Sequence, residues 1–511
     1  FHAEQDNSYS VRLLKDVEQK TLTLSSENNY LAQTTNGYMY ITDGTSIYQS
    51  IDEGVTWTAM TSTQVSYNIH GIVAFGNDLF IVTGDGGTNK QLISYDLATT
   101  TFTDENLGAV FTGHFTGIWF AKGALFLSGK STTAEYLWQS SPFIHNFSGD
   151  FETADALVTT EPTHQFTDVI DAGAVVLAGN TDSNIYSLKI DGGTWSLKGQ
   201  TQLAFEEIHS LAATEGIVYI GTKGYQANTG RFYTAELTVA DNLYVLANRQ
   251  LIKEWDNGVD QSPHSMFVTR DSVYMGIHES ATETNLWRYY LPTAGIARDL
   301  SVTHTSDTNA KVTGITQTGT TGGKFIILIS GVGVYKQTDT FVSTGYIISA
   351  LADFYTSENK QWVGAKLNTN GVSSGTIALA TTTIPADINN NVSPTWENQI
   401  TVASGSGGDE EVLELVQGRW MSVRLTITTS DTSQSPELLS FAVRGFQLVN
   451  DLVVDMPINI SDQVERPFRK ALRVNGQGEL IYQALRNKEG QNVQLEIFRP
   501  DTLLRGIIEN V

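Results

Sequence analysis

The sequence predicts an all-β chain: a β-propeller of about seven four-stranded blades, followed by a β-sandwich and a small C-terminal β module. Three observations predict it. First, glycine is abundant at 45 and proline scarce at 10 in 511 residues, and short bursts of Thr, Ser, Val, Ile and Tyr alternate with Gly, Asn and Asp. That is the texture of many short strands joined by tight turns. Second, five segments share one plan: "IHGIVAFGNDLFIVTG", "GHFTGIWFAKGALFLSG", "THQFTDVIDAGAVVLAG", "IHSLAATEGIVYIG" and "PHSMFVTRDSVYMG". Each has a His, a short apolar strand, a turn, a second and more apolar strand, then Gly. Third, an aromatic-bearing strand follows in the units, as at Tyr48, Trp138, Tyr186, Tyr233, Trp287 and Tyr335.

The repeat histidines are His70, His114, His164, His209 and His264, spaced by 44, 50, 45 and 55 residues. With a fourth closing strand, units of this length describe propeller blades. One such sheet cannot bury both faces alone, so neighbours stack around an axis. "NYLAQTTNGYMYITDG" extends the series backward and "KVTGITQTGTTGGKFIILISG" extends it forward, both without the His. The count is seven between residues 25 and 350; six or eight fit the less regular end units. Residues 1–24 form an N-terminal extension that either supplies a closing strand or belongs to another domain.

Between the third and fourth strands of the first unit lies "SIDEGVTW", with Ser50, Asp52, Gly54, Thr56 and Trp57 in Asp-box spacing. The Asp carboxylate accepts backbone N–H bonds, Gly permits positive φ and Trp packs between sheets. "SYDLATTT" and "KIDGGTW" read as decayed copies. The Asp-box resembles the turn of sialidases and other propellers. Sialidases grip a substrate carboxylate with three arginines, one from the first blade, because a guanidinium fork matches a carboxylate. Here no Arg lies between Arg12 and Arg231. The box is therefore expected to hold a turn, and the chain is expected not to be an enzyme.

Other motifs are weaker. The histidines could ring one end of the channel as a metal or pH-sensing set, but tying blade to blade is the expected role, and no metal or cofactor is expected. "LFLSGKST" has Ala124 where a P-loop needs Gly, and reads as a turn. "TGDGGTN" reads as a turn too, although Ca²⁺ is conceivable. Trp255 and Trp362 could serve a sugar, with core packing the expected role.

Residues 351–450 lose the repeat. "KQWVGAKLNTN", "GTIALATTT" and "GRWMSVRLTITTSDTSQSPELLSFAVRGF" alternate apolar and polar residues, which fits a β-sandwich; "SGSGGDEE" reads as a loop. Residues 451–511 form a third module of strands broken by "NGQG" and "NKEG".

The net charge is −24, which excludes wrapping nucleic acid by a basic surface, and no sequence-specific nucleic-acid contact is expected. Residues 25–230 carry 6 basic and 21 acidic side chains, whereas residues 461–511 carry 8 and 7. With no cysteine, there is no disulfide or thiolate site. No apolar run reaches about 18 residues, so no membrane insertion is expected.

"EYLWQSSPFIHNFSGDF" followed by "DAGAVVLAGNTDSNIYSL" resembles propeller-bearing virion proteins of tailed phages. "GRWMSVRLTI…SPELLSFAVRGF" resembles the sandwich that follows such propellers, and "LLRGIIENV" is similar to the ends of small tail-assembly barrels. The resemblance implies a structural protein of the tail or tail tip, localised in the virion. Its implied partners are other phage tail proteins and further copies of itself in a trimer or hexamer ring, with a host-surface glycan as a further contact. A secreted or surface carbohydrate-binding propeller is the alternative, and a glycoside hydrolase or lyase a second one.

Overall fold

The computed structural model describes residues 11–447, apart from residues 27, 63, 106, 108–110, 141–146, 148–150, 226–227, 257, 320–322, 350, 353–358, 371, 373, 385–394, 406–407 and 412–415; beyond 447 it describes four short strands. The chain divides into two units, Phe1–Gly345 with Thr428–Pro436, and Tyr346–Ile427 with Glu437–Val511.

The first unit holds seven four-stranded antiparallel sheets. Blade 1 is Leu31–Gln33, Met39–Asp43, Ser46–Ser50 and Thr58–Met60, and blade 2 is Asn68–Phe75, Asp78–Gly84, Lys90–Asp96 and Thr101–Asp104. Blade 3 is His114–Ala121, Ala124–Lys130, Glu135–Ser140 and Val158–Thr160, and blade 4 is Phe166–Asp171, Val176–Asn180, Asn184–Asp191 and Thr194–Gln202. Blade 5 is Glu206–Thr214, Ile217–Gly224, Gly230–Ala240 and Leu243–Trp255, and blade 6 is Met266–Val268, Ser272–Ser280, Glu283–Tyr290 and Gly295–Thr303. Blade 7 takes three strands from Val312–Gln317, Phe325–Ile329 and Gly333–Phe341, and its outer strand is Lys15–Gln19.

The second strand of each blade is its most buried, because a neighbour covers both of its faces; Met39–Asp43, Val176–Asn180 and Phe325–Ile329 are buried throughout. This is why Phe325–Ile329 reads as an unbroken apolar run. Each pair of adjacent blades shares its own apolar layer. Tyr40 and Ile81 lie between blades 1 and 2, Phe80 and Trp138 between 2 and 3, Phe126 and Trp195 between 3 and 4, and Leu177 and Ile220 between 4 and 5. Phe232 and Met275 fill the gap between blades 5 and 6, and Leu286 and Phe325 the one between 6 and 7. The seventh layer, with Met39, Ile41, Ile326, Leu328, Leu22 and Leu24, joins blade 7 to blade 1. Seven layers for seven blades make a closed ring, and burial of each large side chain contributes roughly 1.5–3 kcal/mol.

Closure is antiparallel pairing across the whole sequence of the ring. Lys15 pairs Phe341, Val17 pairs Gln337 and Gln19 pairs Tyr335. The Leu13 amide donates to Ser435 Oγ at 2.7 Å, and Lys20 N donates to Val334 O at 2.8 Å. Residues 11–24 are thus part of the ring.

Blade 5 departs from the others. Its last two strands run 11 and 13 residues, and the last one leans over the outer strand of blade 4. Leu246 N donates to Thr201 Oγ1 at 2.9 Å, and a Cβ on Gly199 would stand 2.1 Å from Tyr244 O, so glycine is needed for that approach.

The second unit has two antiparallel sheets. One runs in the order Thr344–Ile348, Ser422–Thr428, Thr376–Thr382, Glu397–Ala403. The other is built on Lys360–Thr369, with Gly408–Glu411 and Val416–Gly418 along one edge and Leu438–Gln447 along the other. Its buried residues include Trp362, Leu367, Ile377, Leu379, Val423, Leu425 and Ile427. The stretch "SGSGGDEE" is therefore no simple loop: Gly408–Glu411 pairs with Ala365–Asn368. Edge pairing uses backbone groups alone and leaves no apolar period to read. Within 451–511 the described parts are the paired strands Gln463–Arg466 and Arg469–Arg473, and Asn492–Glu496 and Leu503–Ile507. The "NGQG" and "NKEG" turns lie outside the described residues.

Candidate functional site

An antiparallel blade sends its first-strand starts and its second-to-third-strand turns to one face. Its first-to-second and third-to-fourth turns go to the other. The histidines therefore lie on one face of the ring and the Asp-box on the opposite one.

The Asp-box is internally satisfied. Asp52 Oδ1 accepts from Ser50 Oγ at 2.8 Å, Val55 N at 3.2 Å and Thr56 N at 2.9 Å, and Oδ2 accepts from Thr56 Oγ1 at 2.5 Å. Partial desolvation pushes its carboxyl up, but these bonds outweigh it and hold it down at about 2. Gly54, at φ +77°, donates to Ser50 Oγ at 2.9 Å. The turn also clasps blade 7: the Glu53 carbonyl accepts from Lys336 Nζ at 2.6 Å, and Trp57 packs on the layer that closes the ring. "SYDLATTT" keeps part of this pattern, with Asp96 accepting from Ala98 N and Thr99 Oγ1. "KIDGGTW" does not. It is a two-residue hairpin in which Asp191 pairs Thr194, with Gly192 at φ +60° and Gly193 at φ +90°. One deleted residue turns a box into a hairpin.

The five histidines are not equivalent. The first strands of five blades carry a bulge at His70, Thr116, Thr167, His209 and Thr313. "Pro-His264-Ser" aligns with "Ile-His209-Ser" at that position. His114 sits two residues before its bulge and His164 three before. The sequence spacing could not show this, because the loops entering each blade differ in length. Their partners differ: His70 Nε2 lies 3.3 Å from Gly84 O within blade 2, whereas His114 Nδ1 lies 3.3 Å from Gly87 O, from blade 3 to blade 2. Burial lowers the His70 pKa.

"LFLSGKST" enters strand Ala124–Lys130 with no helix after it, and Asp85 of "TGDGGTN" closes a turn through Gly87 N at 2.7 Å and Asn89 Nδ2 at 2.6 Å. Trp255 and Trp362 are buried core residues. No helix is long and apolar enough to cross a membrane among the described residues.

His164 leads to the feature the sequence did not reveal. A cleft of about 470 Å³ opens on the histidine face between blades 3 and 4, lined by residues that include Thr160, Glu161, His164, Asp182, Asn184, Tyr186 and Gln200. His164 Nδ1 lies 3.4 Å from Asp182 Oδ2, Asn184 Nδ2 donates to Asp182 Oδ2 at 3.1 Å, and Gln200 Nε2 donates to Asn184 Oδ1 at 2.7 Å. The wall is hydroxyl, amide and carboxylate, with no Lys or Arg. It offers both donors and acceptors to a neutral, hydroxyl-rich ligand and repels an anion. The turn "NTDSN" was its only sequence signal: Asn180 Oδ1 accepts from Asp182 N and Asn184 N and presents the pair.

Blades 3 and 4 also hold two desolvated carboxylates outside the cleft lining, buried Glu135 and half-buried Asp168. Burial pushes Glu135 up to about 7, against a bond from Thr116 and the charge of Lys130; burial pushes Asp168 up to about 7, against bonds from the Leu211 and Val169 amides. Glu135 Oε2 has no hydrogen-bond partner. A raised folded-state pKa means that the native protein holds the proton the unfolded chain releases. Glu135 therefore adds stability below about 4.5 that is lost as pH rises through about 7. The Glu135→Gln variant is expected to lose this decline, by on the order of 2 kcal/mol between pH 4.5 and 7.5. Urea titrations at both pH values check it; an unchanged pH slope would contradict the assignment.

The closed ring and its N-terminal outer strand define the first unit as a seven-bladed β-propeller. No protein-family model matches the chain, and no curated protein matches it. Among solved structures it is similar to a mitotic checkpoint complex component (12% identity, TM-score 0.44, 66% of this chain and 95% of that one). It is also similar to YCF48 bound to D1 peptide (12%, 0.42, 63% and 96%) and to the periplasmic gluconolactonase PpgL of Pseudomonas aeruginosa (10%, 0.42, 58% and 97%). These are likenesses of fold.

Proposed function

We propose that this chain is a non-catalytic structural protein of a tailed-phage virion, assembled as a homo-oligomeric ring in the tail or tail tip. The observation that carries the reading is the state of the Asp-box. Both Asp52 oxygens are engaged within the turn, and the turn itself clasps blade 7, so the motif that hints at sugar chemistry serves ring closure. That leaves a scaffold, followed by the second unit whose "GRWMSVRLTI…SPELLSFAVRGF" pattern resembles the sandwich of tail proteins. Peptide mass spectrometry on density-banded particles, with copy number, tests it. A fixed count in multiples of three is expected; absence from intact particles would sink the idea.

The polar cleft favours a second reading, a carbohydrate-binding propeller. In that reading Asp182 and Gln200 bind sugar hydroxyls, and Asp182→Ala is expected to weaken binding about tenfold, the loss of one charged hydrogen bond. A glycan array followed by calorimetry on the best hit measures this. Equal affinity in wild type and variant would remove the cleft from consideration.

A further inference from the structure

Four histidines gather at one corner of the ring, on blades 5 and 6 and the crossing to blade 7. His209 occupies the bulge in the first strand of blade 5, and His264 stands just before the first strand of blade 6; their ring centroids are 4.3 Å apart. His278 ends the second strand of blade 6 and His304 follows its fourth; their rings stack at 5.9 Å. The side chains of His209 and His264 are each 13% exposed, and His278 and His304 are buried.

The hydrogen bonds fit neutral rings. His304 Nδ1 lies 2.7 Å from Thr305 O and so carries a proton. Its Nε2, 2.9 Å from Thr284 Oγ1, then accepts the Thr284 hydroxyl. That oxygen in turn accepts from His278 Nδ1 at 3.3 Å, and His278 Nε2 has no partner. A proton added to His278 Nε2 would be a buried donor without an acceptor. In the other pair, Ser262 Oγ donates to Asp260 Oδ1, so His264 Nε2 donates to Ser262 Oγ at 3.1 Å.

The segment from Asp260 to His264 joins the two pairs. Gln261 Nε2 donates to the Glu279 carbonyl, next to His278, at 3.3 Å. The charged groups facing the corner are Glu207, 3.3 Å from His209, Asp260, ion-paired to Lys223 at 3.0 Å, and Asp307 and Lys311 on the crossing to blade 7.

We propose that Asp260–His264, the crossing from blade 5 to blade 6, is an acid-released latch: closed while the His264 and His278 imidazoles are neutral, and opened when protons are forced onto them. Burial, with the charge of His209, lowers the His264 pKa to about 3 against the pull of Asp260 Oδ2, 3.6 Å from its Nε2, and burial lowers that of His278. Unfolded or opened chain takes up a proton near 6.5 that the closed latch refuses. The latch is thus stable above about 6.5 and weakens as pH falls toward 3.

Hydrogen exchange of the full chain, read by mass spectrometry at pH 7.5 and 5.0 and corrected for intrinsic rates, tests this. Residues 206–215 and 258–268 are expected to lose protection on the order of tenfold at pH 5.0, reversibly, while blades 2 and 3 do not. In the His264→Gln, His278→Asn double variant, whose amides replace the Nε2 and Nδ1 donors, the loss is expected to vanish. Unchanged protection in wild type, a loss spread evenly over all blades, or the same pH response in the variant would each overturn the latch. The first two outcomes need no variant to fold.

Discussion

A chain from which residues 11–20 are removed is expected to lose most of its resistance to unfolding. The deletion strips the outer strand from blade 7, exposes Phe341 and Tyr335, and unseats Leu13, now 2% exposed. At about 1 kcal/mol for each of four or five backbone hydrogen bonds and about 2 for burying Leu13, the loss is on the order of 6–7 kcal/mol. Against a typical total of roughly 5–15 kcal/mol, that is enough to leave the ring partly open at 37 °C. The new edge of blade 7 would also invite pairing with other chains. Guanidinium unfolding followed by far-UV circular dichroism, with size-exclusion chromatography, measures both effects. An unchanged midpoint and an unchanged monomer peak would mean that closure rests on the apolar layer between blades 7 and 1 alone.

The second large effect is expected at Trp138. Its ring is fully buried between blades 2 and 3, 4.6 Å from the Phe111 centroid and 5.3 Å from that of Tyr136, and its Nε1 donates to Glu152 O at 2.8 Å. Trp138→Ala opens a cavity that the surrounding sheets cannot collapse to fill, at about 3–5 kcal/mol, and leaves a carbonyl without its donor. Trp138→Phe keeps most of the packing and loses the N–H bond, so about 1–2 kcal/mol is expected. Urea midpoints for the two variants separate packing from hydrogen bonding. Equal losses would place the whole effect in the Glu152 bond.

What could be read from the sequence follows burial. Phe325–Ile329 and Val176–Asn180 are covered on both faces, so they appear as apolar runs, and the ring repeat follows from them. The outer strand Thr58–Met60 is three residues long with no buried position, and Gly408–Glu411 pairs through its backbone, so neither carries a side-chain signature. The role of Lys15–Gln19 was legible only as one of two alternatives, because its partner lies more than 300 residues away. The Asp-box was legible because the hydrogen bonds of Asp52 lie within four residues, although Lys336 and the apolar layer under Trp57 come from far along the chain. The cleft was not, because Thr160, His164, Asp182 and Gln200 come from separate strands and turns of two blades. The histidine repeat did not reveal the position each ring takes: a bulge fixes His70 and His209, His114 and His164 fall on the approach to theirs, and His264 stands before its strand.

The seam between Lys15–Gln19 and Gly333–Phe341 also sets a timetable. During synthesis at roughly 5–20 residues per second, the first strand leaves the ribosome without its partner. It must then wait on the order of a minute or less while six blades are made. Throughout that interval blade 1 has no neighbour on one side, and Met39 and Ile41 face water rather than Ile326 and Leu328. The nascent ring is thus a growing arc with an uncovered end, and it becomes a single cooperative body only when the last blade arrives.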